Sequence, residues 1–312
     1  MEFDPVVLNF DPKDSDIYDP VVIANEIRAA ATSLKGEFMT EEGDGVDYAS
    51  MRGSEAFSEY CSKANKLVTL NLDNLLENDR KAFFINLYNC LIIHAICMEC
   101  NETGFEDPKL ARKYFYSTSS YNIGGLVYSL DDIEHGCLRR NKAGRFTPID
   151  PRLKYMIAPQ PEHGHDEHLI DPRIHFALNC GAKSCPPIAV YKSGVLDSQL
   201  ARAAKGFVRG NVSIAKNENA VPPEQAYVVT MSMIFNWYGG DFGATELAVL
   251  RWIGTHGGLE ESQQVLMDEL LASSADEKPA ASTAAEGADA TTASGRQFTV
   301  IYEPYNWVVN DK

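Results

Sequence analysis

The run from Ala82 to Met98 is the most apolar part of the chain, and Asn86, Asn89 and His94 interrupt it. A clean run of this length would suit a bilayer, but amides and an imidazole are costly in hydrocarbon without partners. The segment therefore reads as a buried helix from about Arg80 to Cys97. On that helix Asn86, Cys90 and His94 fall at i, i+4 and i+8, with Asn89 beside them, so one face of an otherwise apolar cylinder is polar. Buried amide and imidazole groups must find partners. This helix is either the wall of a polar cleft or the holder of a neighbouring turn, and the bland reading is that it ties down the backbone of the segment from Ile174 to Pro187.

That segment is the second concentration of chemistry: His175-Phe-Ala-Leu-Asn179-Cys180-Gly181-Ala-Lys-Ser184-Cys185-Pro-Pro-Ile188. Ile174 to Leu178 is apolar enough for a buried strand, and Asn179 to Ala182 carry turn chemistry, so the polar groups would stand at a strand end. Three readings of Cys180 and Cys185 stay open: inert core thiols, a redox pair closed across the Gly181 turn, or a nucleophile site centred on Cys185. A nucleophilic thiol needs a base and a group to orient the base. His175 or His135 could be the base, with Glu134, Asn179 or Asn86 as orienter, and Lys183 could favour the thiolate. Backbone N–H groups from Gly181 to Ser184 could receive an oxyanion. Glu134 and His135 lie in a segment that reads as a helix from Leu130 to Arg140, capped by Ser129, with Asp131 and Asp132 in its first turn. Glu134 has an equally ordinary use, pairing with Arg139 or Arg140.

The seven cysteines are an odd number in a chain too long to need a disulfide framework, which favours a reduced, cytoplasmic protein. Cys97 and Cys100 form a single C-x-x-C, better read as buried small hydrophobes than as half a zinc site. His163, His165 and His168 sit in an acidic polar loop without an apolar frame and read as surface histidines. No metal and no cofactor are expected.

The net charge of −16 repels phosphate backbones and anionic lipid, so neither nucleic acid nor a membrane is an expected partner. A small-molecule or peptide substrate, or a protein partner, remains. The N-terminal residues carry no basic segment followed by an apolar one, so no secretory signal is expected.

Residues 1–50 read as an acidic, proline-bearing arm followed by a helix over 20–35 and an acidic loop over 41–47. Residues 51–255 read as the core: helices over 54–66, 80–97 and 130–140, short strands at 114–116 and around Gly124-Gly125, a surface excursion over 150–172, a helix over 197–208, a strand at 226–229, and helices over 231–238 and 241–254. A helical extension follows over 256–271. Residues 272–296, rich in alanine, serine, threonine and acid, are expected to be disordered. Residues 297–312 bring back a strand that closes onto the sheet. Helices and strands without a βαβ repeat give an α+β class, helices on a small, mainly antiparallel sheet in a single domain, loosely reminiscent of papain-like and transglutaminase-like folds.

Taken in order, Lys81-Ala-Phe-Phe-Ile-Asn86-Leu-Tyr88-Asn89 with His94, Tyr121-Asn-Ile-Gly124-Gly125, Ser129-Leu-Asp-Asp-Ile-Glu134-His135, and His175 through Cys185-Pro-Pro resemble the DUF547 family, a domain of unknown function. Phe235-Asn-Trp-Tyr238 with Asp241-Phe242, and Tyr305-Asn306-Trp307, look like its later motifs, so the resemblance extends over roughly 54–310. Asn306 stands where the family commonly has aspartate. The resemblance implies no established activity. Related domains occur beside coiled coils in plant proteins and beside glutaredoxin-like and DEP domains elsewhere, which points to a scaffold on one side and to thiol chemistry on the other. The expectation that follows is a thiol-dependent hydrolase or acyl transferase acting on an amide or thioester, with Cys185, His175, His135 and Glu134 as its catalytic residues. Asn86, Tyr88, Asn89, His94, Asn179, Cys180, Gly181 and Ser184 would bind or orient substrate. The alternatives are a non-catalytic binding or scaffold module with a braced polar core, and a thiol oxidoreductase using Cys180 and Cys185.

Overall fold

A computed structural model describes residues 3–10, 16, 18–41, 45–100, 102, 104–164, 169–218, 226–274 and 297–311. The architecture is α+β. Where a single domain was expected, the residues group into two compact units. One comprises Met1–Pro159, Ala177–Leu196 and Asn306–Lys312, the other Gln160–Phe176 and Asp197–Tyr305. The expected mainly antiparallel sheet is instead two small sheets, each of three strands with one parallel and one antiparallel pairing.

The first unit opens with β1 (Val6–Val7), two residues of the expected arm that form a strand. α1 (Pro20–Glu37) starts where Asp19 accepts from the N–H groups of Val21 and Val22 and Pro20 supplies a preset φ; it buries Ile23, Ile27, Ala31 and Leu34. α2 (Tyr48–Arg52) is a short helix the spacing does not announce, and α3 (Glu55–Asn65) is capped by Ser54. α4 (Glu77–Cys97) is the polar-striped helix, and every residue from Lys81 to Cys97 is buried. It packs against α1, α2 and the segment after the sheet, so it is the axis of this unit.

α5 (Pro108–Thr118) replaces the strand expected at Tyr114 to Tyr116. Asp107 accepts the N–H of Lys109 and Pro108 fills the first turn, and a helix so started runs on through its aromatic residues. β2 (Ser119–Ile123) and β3 (Leu126–Ser129), the short strands expected around the glycine pair, form a hairpin joined by Gly124 and Gly125 with φ of 60° and 83°, a two-residue turn that needs φ above zero twice. β2 also pairs parallel to β1.

Ser129 caps the next helical segment as expected. Its hydroxyl accepts the Asp132 N–H at 3.1 Å while the Asp132 carboxylate accepts the Ser129 N–H at 3.0 Å, a reciprocal box. Past that cap the turns widen to π geometry over Asp132–Leu138, with the Arg139 N–H donating to the Glu134 carbonyl. Among its described residues the expected surface excursion over 150–172 has buried anchors: Tyr155, Ile157, Ile170 and Asp171 are buried, and Arg152 donates to the Asp132 carboxylate at 2.8 Å. His165 and His168 fall outside the described residues, and His163 pairs with Asp197 at 3.0 Å.

The buried strand expected at Ile174 to Leu178 is instead a 3-10 turn over Pro172–Phe176 followed by irregular chain. The Asp171 carboxylate accepts the Arg173 N–H at 3.1 Å and holds its guanidinium at 2.8 Å, a local turn that competes with extension. Burial was legible there; conformation was not.

The second unit contains α6 (Leu196–Asn211), β4 (Val212–Lys216), β5 (Tyr227–Ser232), α7 (Ile234–Trp237), α8 (Gly239–Phe242), α9 (Glu246–His256), α10 (Glu261–Ser273) and β6 (Phe298–Glu303). β6 returns to the sheet parallel to β5, as expected of the last strand. The core is aromatic: Phe176 meets Phe207, Phe235, Phe242 and Trp252 at centroid distances of 4.9–5.9 Å. Of residues 272–296, expected to be disordered, Ala272 and Ser273 end α10 and 275–296 lie outside the described residues.

Candidate functional site

The polar stripe of α4 grips backbone. Asn86 donates to the Tyr191 carbonyl at 2.7 Å and accepts the Tyr191 N–H at 3.0 Å; Asn89 donates to the Ala177 carbonyl at 2.9 Å and accepts the Asn179 N–H at 2.8 Å. Each amide replaces the ladder that a strand neighbour would have provided, which is how chain from 177 to 191 runs through a core without regular structure. The bland reading of these asparagines is therefore what the geometry gives, with Asn86 reaching a few residues beyond the expected segment.

Beyond Asn89 the chain turns sharply. The Asn179 side chain donates to the Pro186 carbonyl at 2.7 Å and accepts the Gly181 N–H at 2.8 Å, so one buried amide spans the turn from inside. Gly181 has φ of +84° and lies against α4: a Cβ there would come within 2.7 Å of the Ile96 side chain. On the other side the turn pairs with the C-terminal segment, Lys183 N–H donating to the Val308 carbonyl and Asn310 N–H to the Gly181 carbonyl, both at 2.9 Å. The Ser184 hydroxyl accepts the Asn306 N–H at 2.9 Å.

This turn brings Cys180 and Cys185 into a disulfide, with their Cα atoms 6.2 Å apart. Both residues are half-buried. The Cys180 N–H points at the Cys185 sulfur at 3.1 Å, and Tyr116 of α5 donates to the Cys180 carbonyl at 2.9 Å. A cavity of about 210 Å³ opens beside the pair. Cys180, Ile96, Phe115 and Trp307 line it, and the Arg112 guanidinium lies 4.4 Å from the centre of the Trp307 ring. Trp307, from the end of the chain, was legible only as part of a motif.

Three of the four expected oxyanion donors are already engaged. The N–H groups of Gly181, Lys183 and Ser184 go to Asn179, Val308 and Asn306. A free Cys185 thiolate exists only when the bond to Cys180 is reduced.

The histidines named as bases have partners of their own. His175 belongs to the second unit, where its Nε2 meets the Asp241 carboxylate at 2.8 Å and its ring stacks on Tyr238 at 3.9 Å; the His175 and Asp241 side chains are each 1% exposed. Cys185 belongs to the first unit. The tie between His175 and Asp241 has no signature in local spacing, although both residues fall in motifs. His135 takes the Arg139 guanidinium on Nδ1 at 2.8 Å, with Glu134 at 3.9 Å. Beside them burial raises the Asp131 carboxyl above its ordinary range.

His94 is a core residue. Its Nδ1 meets the Tyr121 hydroxyl at 2.9 Å and its Nε2 the Cys61 sulfur at 3.5 Å, and burial lowers its pKa to about 4. Tyr88 is likewise buried on α4. Cys97 is buried with its sulfur 3.2 Å from that of Met51, and burial pushes its thiol up to about 12; Cys100 is half-buried. The cysteines other than the bonded pair are free.

Residues 72–208 match the model of a family described as "Protein of unknown function, DUF547". This segment belongs to the DUF547 family. The match is narrower than the expected 54–310, and it holds α4, the hairpin, Glu134-His135 and the Cys180–Cys185 turn; the motifs around Tyr238 and Trp307 lie outside it. No curated protein and no solved structure matches the chain, so the papain-like analogy has no support from one. No helix among the described residues is long and apolar enough to cross a membrane.

Proposed function

We propose that the DUF547 segment carries out thiol–disulfide exchange through Cys180 and Cys185. The observation that carries this reading is a half-buried disulfide, held by a braced turn, at the edge of an apolar cavity. A substrate thiolate attacks the Cys180 sulfur, the S–S bond breaks, and Cys185 leaves as thiolate while a mixed disulfide forms on Cys180. The Cys180 N–H stabilises the departing charge, and a lower thiol pKa makes a faster leaving group. A second substrate thiol then displaces Cys180, so the substrate dithiol is oxidised to a disulfide, the pair is reduced by two electrons, and the protons go to solvent. The reverse sequence reduces a substrate disulfide.

Closing a loop this short stabilises a fold by only about 2 kcal/mol in the chain-entropy account, so a purely stapling role would contribute little. Acyl transfer from a reduced Cys185 is the less supported reading, because Gly181, Lys183 and Ser184 already have acceptors for their N–H groups.

The test is to equilibrate the folded protein in glutathione buffers of graded potential and trap thiols by alkylation for mass mapping. Reversible interconversion of the bonded and doubly alkylated pair is expected. Cys185→Ser should collect glutathione on Cys180, while Cys180→Ser should collect far less on Cys185. A pair that excess dithiothreitol opens only after unfolding sinks the reading. So does equal capture by the two variants, and acylation of Cys180→Ser by a thioester probe would replace it with acyl transfer.

A further inference from the structure

A second cavity of the first unit, about 350 Å³, lies between α1, the start of α4 and the chain from Tyr191 to Ser193. Nothing in the proposed exchange uses it. Its lining includes Arg28 and Tyr191, and each of these residues carries a buried polar atom without a hydrogen-bond partner, the Arg28 Nε and the Tyr191 hydroxyl. Buried donors left without acceptors are uncommon in folded proteins, each costing about 1–3 kcal/mol, and two of them on residues that line one cavity point to something that fills it and reorients these side chains toward it.

Both are donors of one kind. Arg28 presents a guanidinium whose planar fork matches carboxylate and phosphate oxygens. Tyr191 is 2% exposed, and burial raises its phenol to about 12, so it keeps its proton at neutral pH. Both positions are fixed. Asn86 clamps the Tyr191 backbone through two hydrogen bonds, and Arg28 stands on α1 one turn beyond the buried Ala24. Lys192 adds a second positive charge to the lining against the single carboxylate of Asp79. The volume is that of a small-metabolite site.

We propose that this cavity binds the oxyanion group of a small organic ligand, a carboxylate or a phosphate, between the Arg28 guanidinium and the Tyr191 hydroxyl.

The experiment titrates the full chain with inorganic phosphate and, separately, with succinate, each against sodium chloride at equal ionic strength, following heat of binding and thermal midpoint. At least one of the two anions should bind saturably and raise the midpoint above the chloride control, and the stronger one identifies the oxyanion class. Arg28→Gln should weaken that binding by roughly tenfold or more, and Tyr191→Phe by several-fold, as loss of a hydrogen bond to a charged group implies. Tyr191→Phe removes only an unpartnered hydroxyl, so its midpoint without anion should match or exceed that of the wild type. If Arg28→Gln fails to fold, Arg28→Lys keeps the charge without the fork and should still weaken binding. Absence of a shift beyond chloride for both anions, or binding unchanged in both Tyr191→Phe and the Arg28 variant, overturns the proposal.

Discussion

At the scale of single residues, the same side-chain types do opposite work according to what they face. Asn86 and Asn89 read from the sequence as polar intruders on an apolar helix, and spacing places them on one face correctly. Their partners, Tyr191, Ala177 and Asn179, lie about a hundred positions away, and nothing local encodes a contact that distant. The geometry yields a prediction. Asn89→Ala leaves a buried carbonyl at Ala177 and a buried N–H at Asn179 unsatisfied, so it should destabilise the first unit by about 2–4 kcal/mol. It should also loosen the Cys180–Cys185 turn. Urea unfolding gives the first quantity, and the rate at which dithiothreitol opens the disulfide gives the second. If the variant unfolds at the wild-type midpoint, the clamp does not hold this chain.

At the scale of elements, the helix starts at Pro20, Ser54 and Ser129 and the strands around Gly124-Gly125 were legible because their determinants are local, whereas the helix start at Asp107-Pro108 was missed. The two mistaken strands show the complementary case. Tyr114 to Tyr116 has strand-forming residues, but it lies downstream of a helix start that overrides them. Ile174 to Leu178 is apolar because it is buried, and its hydrogen bonds come from side chains rather than from a ladder. The hairpin separates two costs that usually come mixed. Gly124 and Gly125 both have positive φ, but a Cβ on Gly124 would run into the Leu70 carbonyl oxygen whereas one on Gly125 meets open space. Gly125→Ala should therefore cost about 1–2 kcal/mol, the conformational penalty alone. Gly124→Ala should cost clearly more. Equal thermal midpoints for the two variants would show that the approach to Leu70 carries no weight.

At the scale of the molecule, a division into two units was not legible, because each unit is assembled from separated stretches and no linker composition marks where the chain leaves one for the other. The division also separates the site residues by membership: His175 with Asp241 in one unit, and Cys180, Cys185, His135 and His94 in the other. The stability of the first unit should carry the signature of His94. Its ring is enclosed by Phe57, Tyr60 and Tyr121, and burial holds its folded pKa near 4, below the unfolded value of 6.5. The sign follows from proton counting. Above pH 6.5 both states are neutral and His94 adds no pH dependence. Between 6.5 and 4 the unfolded chain binds a proton that the folded one refuses, so stability falls with falling pH, by roughly 3 kcal/mol over the whole window. His94→Gln keeps a polar group toward Tyr121 but cannot titrate there. The other acid-sensitive groups remain in both proteins, so the difference between them isolates the imidazole. Urea unfolding of wild type and variant at pH 7 and pH 4.5 should show the variant losing less stability on acidification by most of that amount. Parallel losses in the two proteins would mean that the His94 ring takes up its proton as readily in the folded core as in the unfolded chain.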